Sequence, residues 1–153
     1  IQSIAESQPS WNIILVGPTD DAFQKSDLHK LENVYFLGSR DIDMLPSYIY
    51  SFDVCINPQE LNDLTVGNYP RKIDEYLSMG KPTVATLTPA MQPFEKHVYL
   101  ASGLFDYVRM IKIALEEDDS EKQAQRISFA AGHSWENNLN QIYLAYENSV
   151  SAM

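Results

Sequence analysis

The stretch NYPRKIDEYLSMGKP, residues 68–82, places a proline and two cations at the start of a predicted helix. The first turn of a helix carries partial positive charge, so Arg71 and Lys72 stand where acidic residues are normally favoured. The polar segment 57–68 leads into this helix, and free backbone N–H groups at a helix start suit a phosphate. We therefore expect Arg71 and Lys72 to act as countercharges for a bound diphosphate.

The same predicted helix carries a carboxylate one turn further on. Lys72, Glu75 and Met79 share one helical face, while Ile73 and Leu77 form the neighbouring apolar stripe. A ribose attached to the diphosphate would present vicinal hydroxyls there, and a carboxylate binds such a diol through both of its oxygens. The alternative interpretation is an ordinary solvated pair between Lys72 and Glu75, worth about 0.2–0.5 kcal/mol.

The composition limits the class of protein. A length of 153 residues, 44% of them hydrophobic and 21% charged, is typical of one globular domain. The net charge of −10 argues against a general binder of nucleic acid or acidic membranes. The single Cys55 cannot form an internal disulfide, which indicates a reducing, cytoplasmic setting. Because the chain starts at Ile1 inside a helix-like segment, we expect it to be a fragment of a longer protein.

Short apolar runs alternate with helical patterns through the first half of the chain. Strands are predicted at residues 12–17, 33–38, 53–58 and 82–86. Strands separated by helices indicate a doubly wound parallel sheet with helices on both faces, and the pattern after residue 89 predicts a helical tail. Ligands bind such sheets at the carboxyl ends of the strands, which makes the loops after the strands the candidate site.

The segment LNDLTVGNYPRKIDEYLSMGKPTVAT closely resembles the signature region of GT-B glycosyltransferases of the retaining, family-4 kind, the glycosyl transferases group 1. The matching residues are Asn62, Leu64, Thr65, Pro70, Lys72, Glu75, Tyr76, Leu77, Gly80, Lys81, Pro82, Val84 and Thr86. The flanking segments IILVGP, NVYFLGSR, FDVCINP and HSWENNLNQIY agree, so the resemblance covers nearly the whole chain. It implies that residues 1–153 are the Rossmann-like, C-terminal donor-binding domain of a two-domain enzyme, without its N-terminal acceptor domain.

The resemblance also implies a function and a set of site residues. The substrate is a nucleoside-diphosphate sugar whose glycosyl group passes to an unknown acceptor, in bacterial surface polysaccharide synthesis, and the fragment alone is expected to be inactive. The implied nucleotide-binding residues are Glu75, Lys72, Gly17, Gly38 and Arg40, and the implied diphosphate and sugar loop consists of Thr65, Val66, Gly67, Asn68 and Arg71. No cofactor and no catalytic metal are expected, because backbone amides and basic residues stabilise the leaving diphosphate. The catalytic residues stay unassigned, and the full-length enzyme is expected in the cytoplasm or associated with a membrane.

One departure from the family affects the sugar side of the site. The wider family has a pair of glutamates, the first of them near the donor sugar. Counting back from Glu75, the first position is occupied by Gly67, and Glu60 or Asp63 are the candidates to replace the missing carboxylate. How the sugar is held is therefore open.

Two other functions remain as alternatives. Half of a UDP-sugar 2-epimerase would share the two-domain architecture. A non-catalytic, flavodoxin-like receiver module would need acids directly after the first strand, but Asp20 and Asp21 come beyond the turn. A dinucleotide-binding dehydrogenase is excluded because the chain has no G-x-G-x-x-G motif.

Overall fold

The computed structural model describes residues 1–63 and 65–151, except for the side chains at positions 22, 135, 138, 141 and 151. Leu64, one of the signature positions, lies outside the described residues. The strands are β1 (Ile13–Val16), β2 (Val34–Gly38), β3 (Cys55–Asn57), β4 (Thr83–Thr86) and β5 (Tyr99–Ala101). The α-helices are α1 (Gln2–Ser7), α2 (Asp21–Gln24), α3 (Leu45–Ser51), α4 (Arg71–Ser78), α5 (Leu104–Glu117), α6 (Ser120–Gly132) and α7 (Trp135–Ser151). Short 3₁₀ turns span Asp27–Lys30, Ile42–Met44 and Pro89–Phe94.

Each apolar run predicted as a strand contains one, and the pairings between strands are parallel. β1 pairs with β2, and β4 lies between β3 and β5. The predicted fold class, a parallel α/β domain with flanking helices, is confirmed. The strands nevertheless form two hydrogen-bonded groups rather than one continuous sheet, and β1 and β3 line a common cavity instead of pairing.

β4 is buried on both faces, which is why its sequence is a continuous run of small and apolar residues. Val84 faces a core formed with α1 and α5, while Ala85 faces a second core formed with α4 and α6. Both side chains are fully shielded from solvent. The two cores place α4, the helix of the predicted site, firmly against one side of the three-stranded group.

The packing and the end of α4 follow from its sequence. Ile73 and Leu77 are completely buried, as their helical spacing predicts. The helix ends in a Schellman motif, in which Gly80 N–H donates to the Leu77 carbonyl (2.9 Å) and Lys81 N–H donates to that of Tyr76 (3.0 Å). Gly80 adopts φ +71°, a conformation that favours glycine. The helix therefore ends at a defined point, directly before β4.

The prediction of an all-helical segment after residue 89 was wrong at one element. β5, Tyr99–Ala101, pairs with β4 from Val84↔Tyr99 to Thr86↔Ala101. A three-residue strand has almost no periodicity of its own, so its conformation depends on hydrogen bonds to β4. The rest of the predicted helical tail is confirmed and consists of α5, α6 and α7.

Cys55 behaves as a core residue. Its side chain is almost completely buried at the start of β3, and burial raises the pKa of its thiol to about 12, with a smaller opposing effect from Lys81. The thiol is protonated at neutral pH, as expected for a packing residue rather than a nucleophile. Within the described part of the chain, no helix combines the length and apolarity that crossing a bilayer requires.

Candidate functional site

A cavity of about 770 Å³ lies beside the exposed face of α4. β1 and β3 form much of its wall, and Asn57 and Pro58 contribute the carboxyl end of β3. Lys72, Glu75 and Tyr76 line it from α4. The cation and the carboxylate singled out from the sequence therefore face one shared space, which extends along β1 and β3 and reaches the strand end where a ligand was expected.

Lys72 and Glu75 are exposed and are not paired with each other. Among the described residues, the ion pairs join other partners, such as Asp118 with Arg126. The alternative of a solvated Lys72–Glu75 pair is thus not realised in this structure. Both charged groups are available to a ligand in the cavity.

The loop between β3 and α4 is anchored at the strand ends by a partly buried polar network. The Tyr107 hydroxyl donates to the Asn57 carbonyl (3.0 Å) and lies 2.7 Å from the Thr86 hydroxyl. Gln59 N–H donates to Thr86 Oγ1 (2.8 Å), and the Gln59 side chain donates to the Thr65 carbonyl. Burial raises the pKa of Tyr107 to about 12, so its hydroxyl keeps its proton. β4 and α5 thereby determine where the loop begins.

Several backbone N–H groups of this loop donate hydrogen bonds to acceptors within the loop itself. Thr65 N–H donates to Asn62 Oδ1 (3.1 Å), Val66 N–H to the Asn62 carbonyl (3.0 Å) and Asn68 N–H to the Thr65 carbonyl (3.1 Å). The Thr65 hydroxyl donates to the Glu60 carbonyl. These N–H groups point into the loop rather than towards a ligand, which differs from the arrangement expected for a phosphate-binding loop. Arg71 and Lys72 remain as exposed cations at the helix start.

The ends of β1 and β2 come together as expected for adjacent parallel strands. Gly17 N–H donates to the Gly38 carbonyl (3.0 Å), and both glycines have positive φ, +145° and +69°. Arg40 donates from Nε to the Tyr48 hydroxyl (2.8 Å) and from Nη1 to the Ser39 carbonyl (3.0 Å). Arg40 is thus tied to α3 through Tyr48, whose side chain lines the same cavity as Glu75.

Gly67 is not required by its backbone conformation. Its φ lies outside the left-handed region, and no described atom lies within 4 Å of an added Cβ. Gly80 is the opposite case, because an added Cβ would lie 3.3 Å from Ile127 Cδ1 at φ +71°. Gly67 stands where the family resemblance expects glutamate. Neither its backbone conformation nor its surroundings require glycine at this position.

We expect Gly67→Ala to leave the free energy of unfolding within about 0.5 kcal/mol of the wild type, because the site is open and unstrained. Gly80→Ala should lower it by about 1–2 kcal/mol through left-handed strain. Urea unfolding monitored by circular dichroism measures both. A loss for Gly67→Ala as large as that for Gly80→Ala would contradict the assignment of Gly67 as unconstrained.

The contacts of one acidic residue at the helix start were not predicted from the sequence. Asp74 lies in the first turn of α4 and contacts Tyr69 and His133 (2.7 and 2.9 Å). The partner His133 lies far along the chain, so spacing gave no signal, although an acid in a first helical turn is itself a favoured position. Within the described ranges, no group of three or more His, Cys, Asp and Glu side chains converges as a metal site would.

The fold is that of a parallel α/β domain of the doubly wound class, with its candidate site at the strand ends. Residues 1–128 match the family described as Glycosyl transferases group 1, and the chain belongs to this family. A putative teichuronic acid biosynthesis glycosyltransferase, TuaH of Bacillus subtilis (strain 168), is 33% identical over 104 residues, which cover 65% of this chain. The chain spans only 26% of that relative's length.

A solved structure has the same fold. Anabaena Alr3699/HepE, described in complex with UDP and glucose, superimposes with a TM-score of 0.66 over 99% of this chain and 44% of its own. The identity is 20%, so this similarity concerns the fold alone. The family membership identifies the class as glycosyltransferase and favours neither the epimerase nor the receiver alternative.

Proposed function

We propose that this chain is the donor-binding half of a glycosyltransferase and binds a nucleoside-diphosphate sugar beside α4. The observation that carries the proposal is the exposure of Lys72 and Glu75 to one cavity that extends along β1 and β3 and reaches the carboxyl end of β3. Lys72 and Glu75 stand about one helical turn apart, so the cation can face the diphosphate while the carboxylate faces the ribose attached to it. UDP is the first nucleotide to test, because the solved relative is described with UDP.

The charges account for how the donor would be held and released. Arg71, Lys72 and the positive end of α4 oppose the diphosphate, which gains negative charge as its bond to the sugar breaks. Glu75 accepts hydrogen bonds from the ribose hydroxyls. We propose that Thr65, Val66, Gly67 and Asn68, in the loop before α4, and Gly17, Gly38 and Arg40, at the ends of β1 and β2, approach the donor from outside the cavity, because none of them is among its lining residues. The proposal requires no cofactor and no catalytic metal.

The wider role is proposed from the relatives. The description of the Bacillus subtilis relative supports synthesis of a bacterial surface polysaccharide. We propose that the full-length protein is cytoplasmic and that a separate domain of it binds the acceptor. It gives no role to nucleic acid, because the chain carries a net charge of −10.

Calorimetric titration of the full-length protein with UDP, GDP and CMP tests the proposal. We expect at least one nucleoside diphosphate to bind with a dissociation constant below about 1 mM, and Lys72→Glu to weaken that binding. Lys112→Glu, an exposed lysine on α5, makes the same change in net charge and is the matched control. If none of these nucleotides binds, the proposal is overturned. If Lys72→Glu and Lys112→Glu lose affinity equally, the diphosphate does not bind beside α4.

A further inference from the structure

Asp74 uses both of its carboxylate oxygens to join segments that are distant in sequence. Oδ2 accepts a hydrogen bond from the Tyr69 hydroxyl (2.7 Å), and Oδ1 lies 2.9 Å from His133 Nδ1. Because a carboxylate only accepts, His133 Nδ1 carries the hydrogen. Tyr69 belongs to the loop that precedes α4, whereas His133 follows α6. Asp74 therefore connects the loop, the site helix and α6.

Aromatic rings pack against both partners of Asp74. The Tyr69 ring lies 5.6 Å from that of Phe94, which is fully buried, and Phe94 also meets the His133 ring edge-on at 5.6 Å. Phe129 contacts His133 at 4.4 Å. The Tyr69 residue is about half exposed, but partial burial of its hydroxyl, followed by the Asp74 hydrogen bond, raises its pKa, so the hydroxyl keeps the donated proton. The side chains of Asp74 and His133 are themselves only 22% and 26% exposed.

The body of α4 is held independently of this connection. Ile73 and Leu77 are completely buried, and Arg126 of α6 donates to the Gly80 carbonyl at the far end of the helix (2.9 Å). The loop has no comparable core residue in its second half, where Val66 and Tyr69 are exposed. The path of the chain from the loop into α4 is therefore held at Tyr69, by its hydrogen bond to Asp74 and by the contact of its ring with Phe94.

We propose that Asp74 is a positioning residue of the donor site, which places Arg71 and Lys72 by holding Tyr69 against α4 and is itself oriented by His133. The proposal rests on the proposed function. The carbonyl of Tyr69 accepts from Arg71 N–H (3.1 Å), so a displacement of Tyr69 is passed directly to the helix start. A shift of about 1 Å there is enough to misplace a cation that contacts phosphate.

The hydroxyl of Tyr69 provides a cleaner test than Asp74 itself. Asp74→Asn would also remove a negative charge beside the diphosphate and so strengthen anion binding for an unrelated reason. Tyr69→Phe removes only the hydrogen bond and keeps the ring on Phe94. Tyr99→Phe is the matched control, because its hydroxyl also donates to a carboxylate, Glu117 (3.1 Å), at the amino end of β5.

The experiment measures nucleotide affinity by calorimetry and melting temperature by calorimetric scanning, in the full-length protein, with UDP or, if the wild type binds only GDP, with GDP in its place. Tyr69→Phe should weaken UDP binding roughly three- to tenfold, and Tyr99→Phe less than twofold, with similar melting temperatures. His133→Ala should weaken binding as much as Tyr69→Phe. His133→Asn should restore it, because the asparagine amide supplies a donor near the position of Nδ1.

The outcomes separate the two proposals. If wild-type protein binds none of UDP, GDP and CMP, the proposed function fails. If it binds UDP and Tyr69→Phe matches Tyr99→Phe in affinity, the positioning role of Asp74 is overturned while the donor site stands. If Tyr69→Phe does not fold, the His133 pair decides, and equal UDP affinities for folded His133→Asn and His133→Ala overturn the role.

Discussion

Glu75→Ala is expected to weaken UDP binding by about ten- to a hundredfold. A hydrogen bond to a charged acceptor contributes about 1.5–3 kcal/mol, and each 1.4 kcal/mol is a factor of ten in affinity. Glu75 is exposed on α4 and supports no core contact, so the free energy of unfolding should change by less than about 0.5 kcal/mol. Calorimetric titration of the full-length protein, combined with thermal unfolding, measures both quantities.

Two comparisons make this prediction specific to the ribose. The nucleotide 2′,3′-dideoxy-UDP lacks the diol, so it should bind wild type and Glu75→Ala with equal affinity, while UDP distinguishes them. Glu116→Ala removes an exposed glutamate from α5 and should leave UDP binding unchanged. An equal loss of affinity for both nucleotides would contradict a contact between Glu75 and the ribose.

Arg126→Ala is expected to lower the free energy of unfolding by about 3 kcal/mol, the lower end of the range for breaking a buried ion pair. The Arg126 side chain is only 3% exposed, donates from Nε to the Gly80 carbonyl and pairs with Asp118. Its removal leaves that carbonyl and the carboxylate without their partner. The lower end applies because Asp118 is 23% exposed and is partly hydrated.

For a domain of this length, about 3 kcal/mol corresponds to a fall in melting temperature of about 6–12 °C. Arg109→Ala is the matched control, since Arg109 pairs with Asp106 at the surface and is 61% exposed. That variant should lose less than about 1 kcal/mol. Similar melting temperatures for the two variants would show that Arg126 does not anchor the end of α4. Scanning calorimetry of both proteins gives the comparison.

The elements that the sequence predicted well are those that carry their own local signal. β1 is a continuous apolar run and β4 a run of small and apolar residues, and α4 shows buried Ile73 and Leu77 at helical spacing with Lys72 and Glu75 on another face. These patterns need no knowledge of the partner element, because burial of one face dictates them. Family membership was predicted from the signature around Glu75, and it is confirmed. This prediction was possible because the signature residues lie close together in the chain.

The features that the sequence did not predict depend on distant partners. β5 exists through its pairing with β4, and Arg126 is buried because it meets Gly80, a residue of another helix end. Spacing likewise gave no indication that Asp74 would meet His133. The sequence alone determined which residue types stand at the candidate site and on which helix. Only the tertiary structure decided their neighbours, since contacts between distant segments arise when the chain closes around its two cores.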